Sequence, residues 1–213
     1  MTNKYNQALR YEIFEKEEYV CAKEVIQQAT IIFDIGGHIG FFSERCRMFN
    51  KETEIHYFEP LPFLYQEAKV RLNKEKNLIL NTVWIGVEEG NIPFLVNKEK
   101  TMQSSKYSSF LNPIGEAVNV NMITLESYLK KNTIPFIDLV KMDIEGMEFE
   151  VLESWSTEVW KKIWSLVIEV HLFNEEMQKR YQKLKVLFHQ NFSTVEEEVS
   201  EYTDTIRLVF CKK

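Results

Sequence analysis

The stretch from Ile31 to Phe42 reads IIFDIGGHIGFF: an apolar run of strand length passes into Gly-Gly-x-x-Gly and then into a helical pattern. The chain holds seven glycines in 213 residues, and three of them, Gly36, Gly37 and Gly40, fall inside this one turn. A strand that turns through glycines into a helix presents backbone N–H groups and the positive helix end at its carboxyl edge. Glycine there permits positive φ and a close approach of backbone to a ligand. The turn therefore predicts an α/β fold with a ligand above the first strand.

The rest of the chain continues the alternation that such a strand requires. A helical spacing over residues 17–29 precedes the strand Ile31–Ile35, and Phe41–Phe49 reads as a helix. Strands follow at Glu54–Phe58, Asn77–Ile85, Val118–Ile123, Phe136–Ile144 and Ile163–Val170. Helices are expected at 61–73, 125–131, 147–155 and 175–190, and Pro93–Asn97 begins a polar excursion that runs to Ser109. Two β runs, Phe192–Val199 and Thr205–Cys211, close the chain around a turn at 201–204. Strands alternating with helices give a mainly parallel, doubly wound sheet, and the closing hairpin sends the last strand in antiparallel. With no linker composition along its length, the chain reads as one Rossmann-like domain over 1–213, residues 1–30 forming a helical lead-in.

Charge and cysteine usage narrow the partners. The net charge of −6, from 32 acidic and 26 basic residues, opposes a general nucleic-acid binder, which would carry a basic stripe. Cys21, Cys46 and Cys211 are odd in number and far apart, which suggests a reducing compartment and no zinc site. The longest apolar runs are of strand length, so neither a signal peptide nor a membrane span is expected, and the compartment is read as cytoplasmic.

Glu59 ends the second strand in IHYFEP, where a carboxylate can accept both ribose hydroxyls of a nucleoside. A dinucleotide fingerprint would need glycine where Ile35 stands, and the chain is short for two nucleotide-binding halves. A nucleotide-dependent oxidoreductase or epimerase is thus a lesser alternative, as is a binding module without turnover. Asp34 in the last turn of the first strand can instead meet a cationic group. S-adenosylmethionine carries an ammonium, a sulfonium and a ribose but no pyrophosphate, and the reversed last strand suits the methyltransferase version of this sheet.

Three segments in order, Asp34-Ile-Gly-Gly-His-Ile-Gly-Phe-Phe-Ser43, Phe58-Glu-Pro60 and Val140-Lys-Met-Asp-Ile-Glu-Gly-Met-Glu148, resemble the FkbM family of S-adenosylmethionine-dependent methyltransferases. The last segment is the most specific, and the likeness covers about residues 17–155. The family commonly has alanine and asparagine where this chain has Gly37 and His38. The resemblance implies a class I methyltransferase that O-methylates hydroxyls of sugars or natural products. It implies cofactor contacts from Asp34, Gly36, Gly37, His38, Gly40 and Glu59, with Ser104 and Ser105 on the cofactor's carboxylate.

A charged group sits where a central strand should be apolar. Residues 139, 141, 143 and 145 share a face by the two-residue period, so Lys141 and Asp143 intrude into the strand and call for pairing. The next strand ends with Glu169 and His171 on one face. Asp143, Glu145, Glu169 and His171 are expected to converge at the carboxyl edge near the switch point of the sheet. Methylating an alcohol removes its proton as oxygen attacks the methyl group, which a positioned base aids. His171 has the intrinsic pKa for that work. Asp143, Glu145 and Glu169 can instead hold Mg²⁺ and acidify the hydroxyl. The sequence leaves that choice open. The expected acceptor is a small molecule or glycan, and Trp155, Trp160 and Trp164 read as packing under a connection rather than as a membrane contact.

Overall fold

The computed structural model describes residues 4–96, 116–201 and 203–213. Helix α1 (Lys4–Phe14), a 3-10 turn (Val20–Ala22) and α2 (Lys23–Gln28) lead into β1 (Ile31–Ile35) and α3 (Phe41–Phe49). Then come β2 (Glu54–Phe58), α4 (Pro62–Arg71), β3 (Leu78–Asn81), β4 (Trp84–Gly86), β5 (Gly90–Val96) and β6 (Glu116–Thr124). The chain continues through α5 (Leu125–Lys131), β7 (Ile137–Met142), α6 (Glu148–Ser154), α7 (Thr157–Lys162) and β8 (Ile163–His171). It ends with α8 (Glu175–Asn191), β9 (Thr194–Val199) and β10 (Ile206–Lys212).

Seven strands form the main sheet in the order β3-β2-β1-β7-β8-β10-β9. The run from β3 to β8 is parallel, and β10 is antiparallel to both neighbours, so the last strand enters reversed as the sequence predicts. The chain steps outward from β1 first through β2 and β3, then returns to β7. The switch point therefore lies between the carboxyl ends of β1 and β7, where ligands bind in open α/β sheets.

The central strands are apolar because both faces are covered. Phe33, Ile35, Val140, Met142, Leu166 and Ile168 pack on one side against α5, α6, α7 and α8. Ile32, Leu139 and Val167, on alternate positions, pack on the other against α2, α3 and α4. Three helices, α5, α7 and α8, start at a side-chain cap: Thr124, Ser156 and Asn174 accept from the amides of Ser127, Val159 and Met177. Trp155 and Trp160 are buried edge to face at 4.9 Å, whereas Trp164 is 53 % exposed. No helix among the described residues is long and apolar enough to cross a membrane.

Three expectations are corrected. The single helix over 17–29 is broken, because Glu17 takes φ +56° and the chain turns to bury the Tyr19 ring before α2 begins. The strand 77–85 is two strands: β3 extends the main sheet, and β4 joins a second, three-stranded sheet in the order β4-β6-β5. Between them the Asn81 side-chain amide donates to the Tyr57 carbonyl, which holds the chain as it leaves the sheet. The strand expected to run to Ile144 stops at Met142, with a consequence for the site.

Candidate active site

The glycine turn is shaped first by the protein itself. Gly36 has φ +73°, and a Cβ on it would lie 1.8 Å from the Asp143 carbonyl oxygen. A Cβ on Gly37 would lie 2.2 Å from the Tyr57 ring. Gly40 caps α3 and packs on α4. The amides of Gly36 and Gly37 both donate to the Phe58 carbonyl at 3.0 and 2.9 Å, and the Gly40 amide donates to Gly37. These N–H groups are therefore bound to the protein's own carbonyls, not left over the strand edge as the sequence reading has it. The physical reason is that β1 and β2 end in register, so the turn closes onto the end of β2.

Asp34 also has internal partners. Its buried carboxylate accepts from Ser43 Oγ at 2.6 Å and lies 3.6 Å from Lys141 Nζ, so the cation it meets is Lys141. Lys141 in turn donates to the Gly36 carbonyl at 2.8 Å and lies 3.9 Å from Asp143. Burial pulls the Lys141 ammonium toward a lower pKa, but Asp34 and Asp143 outweigh it and hold the group above its ordinary value. Burial likewise raises the Asp34 carboxyl against the opposing pull of Lys141 and Ser43.

Above this turn lies an open cleft. Gly36, His38, Glu59, Asp143 and Glu145 line its polar side; Phe58, Leu64, Trp84 and Ile85 line its apolar side, with Leu9 of α1 at the margin. Glu59 is only 5 % exposed. Its two oxygens accept from the amides of His38 at 3.1 Å and Leu61 at 2.9 Å, which fixes the carboxylate at the end of β2. Burial pushes this carboxyl up to about 7 even though both amides favour its ionised form. His38 has φ +48°, a conformation that costs a non-glycine residue about 1–3 kcal/mol. The turn so formed aims its amide at Glu59 and its carbonyl at the Tyr57 hydroxyl, which donates to it. Burial lowers the His38 imidazole to about 4, so it faces the cleft uncharged near neutral pH.

Beyond Met142 the chain leaves the strand. Glu145 has φ +56° and Gly146 φ +97°, so Asp143 and Glu145 stand on a turn and not on a strand face as the sequence period suggests. The Asp143 amide donates to the Ile35 carbonyl at 3.1 Å and ties this turn to the end of β1. One oxygen each of Asp143 and Glu145 and one nitrogen of His171 lie within 4.8 Å of one another. Glu169 is not in this group, although Asp143 and His171 are near enough to bear on its charge: it accepts from the Tyr19 hydroxyl and lines a second cleft between the α1–α2 segment and the β9–β10 hairpin.

Glu148 completes the cluster. It is 0 % exposed, and its Oε1 accepts from the amides of Gly146 at 3.0 Å and Ile144 at 3.3 Å. The same oxygen pairs with His171 Nδ1 at 2.9 Å, and His171 Nε2 faces Glu145 Oε2 at 3.5 Å. Burial alone would lower the His171 pKa, but Glu148 above all, then Glu145 and Asp143, hold it well above the ordinary value. Burial raises Glu145 to about 8. An imidazole so held keeps its proton more tightly than a free one, which is poor preparation for a general base. Sequence reasoning includes Glu148 only as the end of the family-like segment and misses Tyr19; the one available signal is the second acid three residues after Glu145. Ser104 and Ser105 lie outside the described residues.

The sheet order, reversed last strand and cleft at the switch point define a Rossmann-like class I methyltransferase fold. Residues 34–209 match the family model described as the methyltransferase FkbM domain, and the chain belongs to that family. It is 23 % identical over 195 residues to the 31-O-demethyl-FK506 methyltransferase FkbM of Streptomyces tacrolimicus, covering 78 % of this chain and 74 % of that protein. It is 26 % identical over 197 residues to methyltransferase sdnD of Sordaria araneosa, with 74 % and 72 % covered. Among solved structures, a methyltransferase FkbM from Methylobacillus flagellatus superposes with a TM-score of 0.56 at 13 % identity, over 85 % of this chain and 43 % of that one. This chain thus spans less than half of that larger protein. An O-methyltransferase from Bacillus cereus, solved with S-adenosylhomocysteine, gives a TM-score of 0.56 at 9 % identity, over 94 % and 81 %. At these identities the structural likeness is one of fold. Family and fold together make methyl transfer from S-adenosylmethionine the chemistry of this domain and set aside the oxidoreductase alternative.

Proposed function

We propose that this chain O-methylates a hydroxyl of a small polyhydroxylated acceptor, a sugar, glycan or natural product, in the cytoplasm. The observation that carries this reading is the adjacency of two half-sites. Glu59, pinned at the end of β2, borders one cleft with Asp143 and Glu145, which lie beside His171.

The residues present fit the cofactor. Glu59 has two oxygens fixed by single amide donors, which leaves lone pairs for ribose hydroxyls. Phe58, Trp84 and Ile85 offer an apolar wall for adenine. S-adenosylmethionine supplies an electrophilic methyl group on a sulfonium. Uncharged His38 adds no repulsion to that cation, and Asp34 with Lys141 keeps the glycine turn in place. Gly36, Gly37 and Gly40 shape the floor, and Ser104 and Ser105 are assigned to the cofactor's carboxylate by resemblance. On the acceptor side, Asp143 borders the cleft and is the group assigned to receive the hydroxyl proton, while His171 with Glu148 holds Glu145 beside it. Positioning the two reactants supplies a large share of the rate.

The second cleft supports an acceptor other than nucleic acid. Glu12, Glu17, Glu18, Glu169, Glu198 and Glu201 line it, with Lys16 as the one cation among its lining residues. Burial raises Glu18 and Glu169 and so reduces their charge, but with the chain's net charge of −6 this lining still disfavours a phosphodiester backbone. The natural-product hydroxyl in the printed name of the Streptomyces relative points the same way. The test is transfer of labelled methyl from S-adenosylmethionine to a panel of sugars, glycans and hydroxylated natural products, with RNA as a control. A base-stable methyl ether is the expected product. Label only on RNA would overturn the acceptor class, and cofactor binding without transfer to any acceptor would favour a non-catalytic module.

A further inference from the structure

We infer that Asp143, Glu145 and His171 form a binding site for a divalent transition-metal cation, backed by Glu148, at the seam between the cofactor cleft and the acceptor side. The purpose of the cation rests on the methyl-transfer reading above; its binding does not.

The geometry is nearly that of a ligand set. The three donor atoms lie within 4.8 Å of one another, and His171 Nε2 is 3.5 Å from Glu145 Oε2. A cation with bonds of roughly 2.0–2.2 Å holds its ligand atoms about 3.0–3.5 Å apart, so small side-chain rotations close the set. The three ligands come from two segments that are held independently. Asp143 is tied to β1 through its amide, and His171 is the last residue of β8.

The imidazole is oriented as a ligand requires. Glu148 is fully buried and is itself fixed by two backbone amides, and it takes His171 through Nδ1. Nε2 is thereby left facing the two carboxylates. A metal-bound histidine almost always has such a carboxylate or carbonyl behind its other nitrogen. Asp143 adds an independent sign: its Oδ1 is buried and accepts no hydrogen bond among the described residues. The nearest ammonium, Lys141, is already engaged by the Gly36 carbonyl and Asp34.

The donor set selects the ion. Two carboxylate oxygens and one imidazole nitrogen suit Mn²⁺, Fe²⁺ or Zn²⁺, whereas Mg²⁺ and Ca²⁺ prefer oxygen alone. This differs from the Mg²⁺ site of Asp143, Glu145 and Glu169 that the sequence suggests, because Glu169 is turned to Tyr19. Three protein ligands leave coordination positions open to the acceptor hydroxyl, whose proton a bound cation makes easier to remove.

The test is titration of the full chain with MnCl₂, followed by electron paramagnetic resonance and calorimetry, with S-adenosylhomocysteine titrated into the same preparations. One bound Mn²⁺ per chain is expected. His171→Gln and Asp143→Asn should each weaken it at least about tenfold, and Glu148→Gln by roughly 10–100-fold, while Glu169→Gln keeps it. Circular dichroism melts confirm that each variant is folded, and the two ligand variants stand in for each other. S-adenosylhomocysteine binding without Mn²⁺ binding would overturn the cation site and leave the methyltransferase reading in place. Mn²⁺ binding that survives both ligand variants would also overturn it. Mn²⁺ binding without S-adenosylhomocysteine binding would uphold the site and remove that reading.

Discussion

Lys141 donates a hydrogen bond of 2.8 Å to the Gly36 carbonyl, joining β7 to the glycine turn across 105 positions of chain. The same ammonium lies within 4 Å of Asp34 and Asp143, all at the switch point of the sheet. A charge here is tolerated because it is shared among two carboxylates and a carbonyl. It joins the glycine turn to the turn that carries Asp143.

Replacing Lys141 by Ala should therefore do more than loosen packing. It leaves Asp34 buried without its cation, a change that costs about 3–5 kcal/mol when one partner of a buried pair is removed. Urea unfolding should show this loss, and S-adenosylhomocysteine affinity should fall with it. A variant as stable as the native chain would mean that Asp34 is neutral and that Lys141 holds nothing together.

Gly37 tests why this chain departs from the alanine that its resemblance leads one to expect. A Cβ there meets the Tyr57 ring at 2.2 Å. Gly37→Ala should cost about 1–3 kcal/mol, as overpacking does. The cost should largely vanish in a Tyr57→Val background, where the ring is gone. Equal costs in both backgrounds, measured by a double-mutant cycle, would assign the glycine to the ligand instead of to Tyr57.

Glu59 makes cofactor affinity depend on pH. Its carboxyl is raised from 4.5 to about 7, so in the free protein it ionises only as pH rises through 7. The raised value means that folding favours the protonated form; stability relative to Glu59→Gln is therefore lost between about 4.5 and 7 and is level above. Ribose hydroxyls are best accepted by the ionised form, so S-adenosylhomocysteine affinity should climb through pH 7 and then level off. Glu59→Gln should bind weakly and without that climb. A flat profile in the native chain would show that Glu59 is not the ribose acceptor.

Tyr19 reaches Glu169 across 150 positions and couples the N-terminal segment to β8. Tyr19→Phe removes one partner of a partly buried hydrogen bond, a loss of about 1 kcal/mol. Thermal unfolding checks the stability, and steady-state kinetics with a competent acceptor should show the acceptor's KM rising more than the cofactor's. An unchanged acceptor KM would separate the second cleft from the reaction.

These residues also show what a sequence can and cannot convey. The strand Ile31–Ile35, the turn after it and Glu59 at the end of the second strand are legible because each follows from local period and turn chemistry. Lys141 is legible as a charge in need of a partner because it stands in a buried strand, and Asp143, two positions on, lies 3.9 Å from it. The Tyr19–Glu169 contact and the capture of His171 by Glu148 are not legible, since both join segments brought together only by sheet order. The break between Asn81 and Trp84 is hidden for a different reason. Both halves favour extended backbone, and only pairing with β2 or β6 tells the two sheets apart. The internal partners of the glycine turn escape notice in the same way, because Phe58 and Tyr57 enter it from the neighbouring strand.

The most direct test of the central claim is calorimetric titration of the chain with S-adenosylhomocysteine, repeated on Glu59→Ala and with NAD in parallel. Saturable binding of S-adenosylhomocysteine, abolished in Glu59→Ala and absent for NAD, is the predicted result. No binding to the native chain, or binding that Glu59→Ala leaves intact, would contradict the assignment of this cleft to the methyl donor.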